Sequence, residues 1–259
     1  MCLINLAWKS HNEYLLIIAA NRDEFFNRQT ESIHEWKGEP AIIAGRDLEK
    51  LGTWLGITKT GKFSALTNVR EIDRNHYELS RGHLVSDFLK EEVSIEQYGR
   101  LLANKANQYP GYNLLLSDFK QLSYMSNRNG HQELLHLNEG IYSISNADLF
   151  ASWPKMEKGK AMIAEILTES DREKIEANLF ARLKDAEKAS DMYLPNTGVG
   201  IERERALSPM FIRMNDYGTR SSTVVLVDYN GNVTISEVSY YGEREEKKRF
   251  HFSLDFTQL

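Results

Sequence analysis

The chain reads as an α+β protein with strands toward both ends of the sequence and two helical blocks between them. Three observations predict this. Strand-like apolar runs stand near both ends, two blocks of helical periodicity interrupt them, and the turn signals between neighbouring runs favour antiparallel hairpins. Two packed sheets with helices outside satisfy that order, although the pattern alone also admits other α+β arrangements. With 259 residues, no internal repeat and no low-complexity linker, the chain is expected to form one domain over 1–259.

The elements follow in order. "CLINLAW" and "YLLIIAAN" are β-rich runs joined by the turn-like "KSHNE", which makes them a hairpin. "PAIIAGRD" and "GTWLGITKTGKFSALTNV" are further strands, the second turning at "KTGK". Leu84, Val85, Phe88 and Leu89 share one helical face, as do Ile95, Tyr98, Leu101 and Leu102. Strand patterns return at "YNLLLSD", "QLSYMS", "QELLHLN" and "GIYSIS". Ile163, Ile166 and Leu167, then Ile175, Leu179, Leu183 and Ala186, mark a second helical block. After the loop "LPNTGVG", the stretch "SSTVVLVDYNGNVTISEVSYY" is a hairpin turning at Asn230-Gly231, and the alternating "RFHFSLDF" ends the sheet.

Composition removes several classes of function. A net charge of -5 with both signs interspersed argues against a nucleic-acid binder. The mixed-charge "GEREEKKRF" reads as the solvated flank of a strand. No apolar run approaches the ~18 residues of a membrane span. The amino-terminal sequence lacks a secretory pattern and neither end carries a lipidation motif, so a cytoplasmic protein is expected. One cysteine excludes an intrachain disulfide framework.

That cysteine is Cys2, directly after the initiator methionine. A thiol attacks as thiolate, and its unperturbed pKa is about 8.5, so it needs a base or a nearby cation. Seven histidines are present, none in a motif that points to Cys2. Removal of Met1 would give Cys2 a free α-amine with a pKa of about 7.7 to 8.0, well placed to take the thiol proton and pass it to a leaving amine. The alternative is a small buried residue on the first strand.

"NRDEFF" closes the second apolar run with a polar cluster. One reading is structural: Asn21 and Glu24 have the spacing of a capping box at a helix start. The other follows from the hairpin. If the two strands pair through a turn at residues 9 to 13, Arg22 and Asp23 return beside Cys2, where Arg22 favours thiolate and binds a substrate carboxylate or carbonyl, and Asp23 orients the terminal amine.

"MCLI" with "NRDEFFNR" resembles the NRDE family, whose eukaryotic members are called transport-and-Golgi-organisation proteins. The resemblance extends in order through "AGRDLEKLGTWLGITKTGKFSALTNVRE", "SRGHLVSDFL", "YSISNADLFASWPKM", "LPNTGV", "LSPMFI" and "YGTRSSTVVLVDYNG". Leu51 stands where the family pattern usually has glycine, a departure expected to affect a turn. The resemblance implies an N-terminal-nucleophile hydrolase fold, a four-layer αββα sandwich of two antiparallel sheets. Within that superfamily it is most similar to bile salt hydrolases and penicillin V acylases. By motif, their catalytic set falls on Cys2, Arg22, Asp23, Asn68, Asn146 and Arg220. The acylases separate their arginine and aspartate by two residues. Here Arg22 and Asp23 are adjacent, and adjacent strand residues point to opposite faces, so one of them is structural unless the strand has ended or bulges.

Asn68 and Asn146 suit an oxyanion hole, where a side-chain amide is worth about 2.7 to 4 kcal/mol; their structural alternatives are a turn residue and a loop residue. Arg220 suits substrate-carboxylate binding or charge support for the thiolate, or is a strand-end cation. Trp54, Trp153 and Tyr217 are candidates to line an apolar substrate pocket, or core residues. Two functions follow from the resemblance. The first is hydrolysis of a non-peptide linear amide through a thioester; no HExxH or CxxC pattern is present and no cofactor or metal is expected. The second is a non-catalytic carrier of a small hydrophobic molecule, with lipid or non-covalently bound haem as its cargo. The ligand's identity and the oligomeric state are not legible in the sequence.

Overall fold

A computed structural model describes residues 2–38, 40–72, 75–128, 130 and 132–254. Met1, on which the free amine depends, lies outside the described residues, as do Asp255 and Phe256 of the last alternating run. In chain order the elements are β1 (Cys2–Trp8), β2 (Tyr14–Phe25), β3 (Thr30–Glu35), β4 (Ile42–Asp47), β5 (Leu55–Thr58), β6 (Phe63–Asn68), α1 (Arg81–Lys90) and α2 (Ile95–Ala103). They continue with β7 (Tyr112–Ser117), β8 (Leu122–Ser126), β9 (Leu135–His136), β10 (Gly140–Ile144), α3 (Pro154–Glu165), α4 (Arg172–Leu183), α5 (Ile201–Ala206), β11 (Tyr217–Asp228), β12 (Asn232–Tyr241) and β13 (Arg244–Ser253).

Two antiparallel sheets result, ordered β10-β1-β2-β11-β12-β13 and β3-β4-β5-β6-β7-β8-β9. Strand alternation makes each sheet two-faced. Ile4, Leu6, Trp8 and Ile18 of the first sheet meet Ile43, Ile57, Phe63 and Tyr124 of the second in one core. The opposite residues, Leu3, Ala7, Ile17 and Ala19, pack on Met156, Ile163 and Leu179 of α3 and α4. Leu66, Leu114 and Leu116 of the second sheet pack outward on Leu84, Val85 and Phe88 of α1. The order is therefore helices, sheet, sheet, helices: the four-layer αββα sandwich. Central strands β1 and β2 are covered on both faces, which explains why they read as continuous apolar runs. The charged run near the end lies on β13, whose solvent-facing lysines and glutamates protect a sheet edge. No helix among the described residues is long and apolar enough to cross a membrane.

One expectation is corrected. Asn21 and Glu24 do not start a helix, because β2 continues as strand to Phe25. The cause is non-local: β11 pairs with β2 from Asp228↔Tyr14 to Tyr217↔Phe25 and supplies hydrogen bonds that a helix would forgo. Asn21 is instead a buried bracket, its Nδ2 donating to Leu183 O and Met210 O at 2.9 and 2.8 Å.

Candidate functional site

The β1–β2 hairpin pairs Cys2 directly with Arg22. Opposed residues share a face, so both side chains stand on the inter-sheet side with Ile4 and Ala20. Asp23 is one residue on and turns to the helix-facing side, while its backbone N–H remains beside the thiol. The adjacent Arg and Asp thus serve opposite faces of one strand. Along β11 the pairs Thr219↔Asp23 and Ser221↔Arg22 leave Arg220 as the extra residue of a β-bulge. Thr219 therefore stays on the Asp23 side, donating from Oγ1 to Asp23 Oδ1 at 2.7 Å, while Arg220 is re-aimed toward the inter-sheet side.

Here the two sheets part around a cavity of about 260 Å³. Cys2, Arg22, Arg220, Ser221 and Glu237 line it from the first sheet. Arg46, Trp54 and Asn68 line it from the second, and Arg81 from the start of α1. Gly52 and Gly82 let the loop before β5 approach α1 closely: a Cβ on Gly52 would meet Gly82 C at 2.5 Å. The wall is charged. Arg28 pairs with Asp47 at 2.6 Å and Glu49 at 3.3 Å, and Glu24 lies 3.9 Å from both Arg22 and Arg28. Arg220 instead donates to the carbonyls of Phe25 and Arg28 at 2.8 and 3.1 Å, and Arg81 to Gly111 O at 3.1 Å.

Cys2 is 5% exposed. Burial pushes its thiol above the ordinary range and the Asp23 carboxylate adds to this, while the Arg22 guanidinium and the Asp23 N–H pull it back. Asp23 is also raised, chiefly by burial; Lys155, the Thr219 hydroxyl and Arg70 oppose the rise. Burial likewise raises Glu237, although Ile33 N–H donates to it at 2.8 Å.

The remaining predicted residues divide. Asn68 ends β6 and lines the cavity. Asn146 is buried behind it, donating from Nδ2 to Asn68 O at 2.9 Å, while its own carbonyl accepts Arg70 N–H at 2.7 Å. Its neighbour Ser145 donates to Cys2 O at 3.2 Å, so this segment braces both Asn68 and the nucleophile's strand. Of the three aromatics, only Trp54 lines the cavity. The Trp153 ring instead stacks on the Arg70 guanidinium at 4.7 Å, and Tyr217 is buried, its hydroxyl donating to Asp23 O at 3.0 Å. Among the described residues the lining holds no histidine or methionine; the side chains there that could ligate a haem iron are Cys2, Tyr77 and Tyr241.

Sequence reasoning missed Arg81, Arg46 and Glu237, which reach the cavity from distant segments. Only Arg81 leaves a local trace: it opens α1, whose first turn contains no acidic residue, although a helix N-terminus disfavours a cation. Lys155 and the Arg70–Glu204 ion pair, at 2.6 Å, were also missed. They form a buried polar layer on the helix-facing side of Cys2's strand.

Comparison with known proteins gives two levels of likeness. The chain resembles a mutant conjugated bile acid hydrolase from Clostridium perfringens at a TM-score of 0.53, covering 98% of this chain and 97% of that one, at 9% identity. That likeness concerns the fold alone. Transport and Golgi organization protein 2 homologs are much nearer in sequence: the Bos taurus protein is 34% identical over 93% of this chain and 94% of its own length, and the Homo sapiens protein 33% identical over 92% and 93%. The model of the family "Transport and Golgi organisation 2" matches residues 1–242, so the chain belongs to that family.

Proposed function

We propose that the chain is a cysteine hydrolase of linear, non-peptide amides. One observation carries the reading: the only thiol stands at the wall of a charged cavity, opposite a guanidinium on the neighbouring strand. The Cys2 sulfur attacks the amide carbonyl, the C–N bond breaks, and the thiol proton goes to the departing amine. Water then cleaves the thioester, yielding a carboxylic acid and regenerating the thiol. The α-amine of Cys2, freed by loss of Met1, carries the proton. Asp23 orients that amine, and Arg22 favours the thiolate. Asn68 faces the developing oxyanion, and Asn146 fixes Asn68 from behind through its backbone. Arg220 holds the polar end of the substrate, with Trp54 against its apolar part.

The test is intact mass spectrometry of protein recovered from its native cell, before and after treatment with a β-lactone. Loss of Met1 and a single acyl adduct on Cys2, absent in Cys2→Ala, are expected, together with Cys2-dependent turnover of an N-acyl amide panel. Native protein that retains Met1, with an unreactive Cys2, sinks the hydrolase reading and leaves the cavity to a binding or carrier role.

A further inference from the structure

The strand that carries Cys2 has charged groups on both faces, and of the helix-facing set Lys155, Arg70 and Glu204 have no part in the mechanism above. Helix α3 lies so close to β1 that a Cβ on Gly159 would fall 1.9 Å from Asn5 Oδ1. Lys155 precedes Gly159 by about one turn, or about 6 Å along the helix axis. That is close to the two-residue spacing from Asn5 to Leu3 or to Ala7, and the influence of Cys2 and Asp23 on Lys155 selects the Cys2 end. There Lys155 is 2% exposed, with Nζ donating to Leu207 O at 3.2 Å.

Four charged or titratable groups act on Lys155 from the surrounding elements: Asp23 of β2, Arg70 after β6, Glu204 of α5 and Cys2 of β1. Arg70 and Glu204 are already joined at 2.6 Å. Arg70 acts on Asp23 as well but is shared with Glu204, so Lys155 is the cation left to Asp23, and a buried charge persists where an opposite one balances it. Asp23 has a double effect on the nucleophile: its N–H favours the thiolate and its carboxylate opposes it.

We propose that Lys155 is a positioning residue for Cys2, balancing the Asp23 carboxylate so that its negative charge does not hold the thiol in the protonated form. This rests on Cys2 being the nucleophile assigned above. It accounts for a lysine buried on the face away from the cavity, and it lets Asp23 stay ionised without suppressing the thiolate.

The test is the rate at which iodoacetamide alkylates Cys2 in the full chain from pH 6 to 10, read by mass spectrometry. The thiolate displaces iodide, so the rate follows the thiolate fraction whether or not the enzyme turns over any amide. Lys155→Met should react about tenfold more slowly than wild type at pH 7. The two should converge by pH 10, because burial and Arg70 hold the Lys155 ammonium down to about 8 and it is neutral above that. Asp23→Asn combined with Lys155→Met removes both charges and should return the pH 7 rate to within about twofold of wild type. Should Lys155→Met fail to fold, Asp23→Asn alone must react faster at pH 7 than the double variant. A folded Lys155→Met with the wild-type rate at pH 7, or a slowing that persists unchanged at pH 10, overturns the proposal. An inactive amide panel alongside a normal Lys155 effect would overturn only the hydrolase reading.

Discussion

Replacing Glu204 tests how much of this fold's stability resides in the polar layer behind the site. Glu204 Oε2 accepts Arg70 Nη1 at 2.6 Å, and Oε1 accepts both Thr197 N–H and Thr197 Oγ1, at 2.8 and 2.6 Å. The paired side chains are 4% and 2% exposed. Arg70 has no slack, since among the described residues its Nε and Nη2 meet no hydrogen-bond acceptor. Glu204→Gln keeps an acceptor for Thr197 but leaves the guanidinium without its counter-ion; breaking a buried pair from one side costs about 3 to 5 kcal/mol. Glu204→Ala also strands the two Thr197 donors and belongs at or above the upper end of that range. At about 2 to 4 °C per kcal/mol for a chain of this size, Glu204→Gln should lower Tm by about 6 to 20 °C. Urea unfolding followed by circular dichroism and tryptophan fluorescence measures the loss, with Trp153 reporting locally because its ring stacks on Arg70. The double variant Arg70→Met, Glu204→Leu removes both charges and should recover to within about 1 kcal/mol of wild type. A Glu204→Gln loss below about 1 kcal/mol would mean that water reaches Arg70, and would refute the picture of a dry, mutually dependent layer.

Other outcomes follow from individual residues. Glu237 is raised mainly by burial, so its contribution to stability is fully present below its unfolded pKa, about 4.3, and is lost as pH rises through the higher folded value. Urea unfolding at pH 5 and pH 8 should therefore show wild type losing stability relative to Glu237→Gln as pH increases; parallel behaviour would place water at that carboxyl. Leu51 adopts φ 60° and is 54% exposed, a left-handed conformation for which leucine has no compensating burial. Leu51→Gly should raise stability by about 0.5 to 1 kcal/mol, read as a higher Tm, with Cys2 labelling unchanged. Gly159→Ala must displace either Asn5 or α3 and should cost about 1 to 3 kcal/mol in urea unfolding.

Much of this arrangement was legible because it is local. A hairpin of two apolar runs fixes the Cys2↔Arg22 pairing, and strand alternation alone sends Arg22 and Asp23 to opposite sides. The layered fold follows from strand and helix order, and the four-layer form from the family resemblance. Illegible features depended on register between distant segments. Asn21 and Glu24 have helix-start spacing, which the pairing of β11 overrides. The bulge that aims Arg220 exists only in relation to Arg22 and Asp23, about 200 residues earlier. Strand β3, built from the polar "TESIHE", carries little hydrophobic alternation to announce it. Lys155 and Glu204 look like ordinary surface charges on helices until the packing of α3 and α5 buries them.

The adjacency of Arg22 and Asp23, at first a departure from the acylase spacing, has a physical consequence. With two residues between them, an arginine and an aspartate on one regular strand would again fall on opposite faces, because their separation would be odd. Adjacency preserves that parity while shortening the distance, so the thiol receives a cation from its own face and a backbone N–H from the next residue. The carboxylate is then confined to the other face, where its charge must be answered by groups outside the cavity. Thr219, Arg70 and Lys155 are those groups. The Asp23 N–H and its carboxylate thus act on Cys2 in opposite senses from one strand position, and the balance between them is set by groups on the helix-facing side.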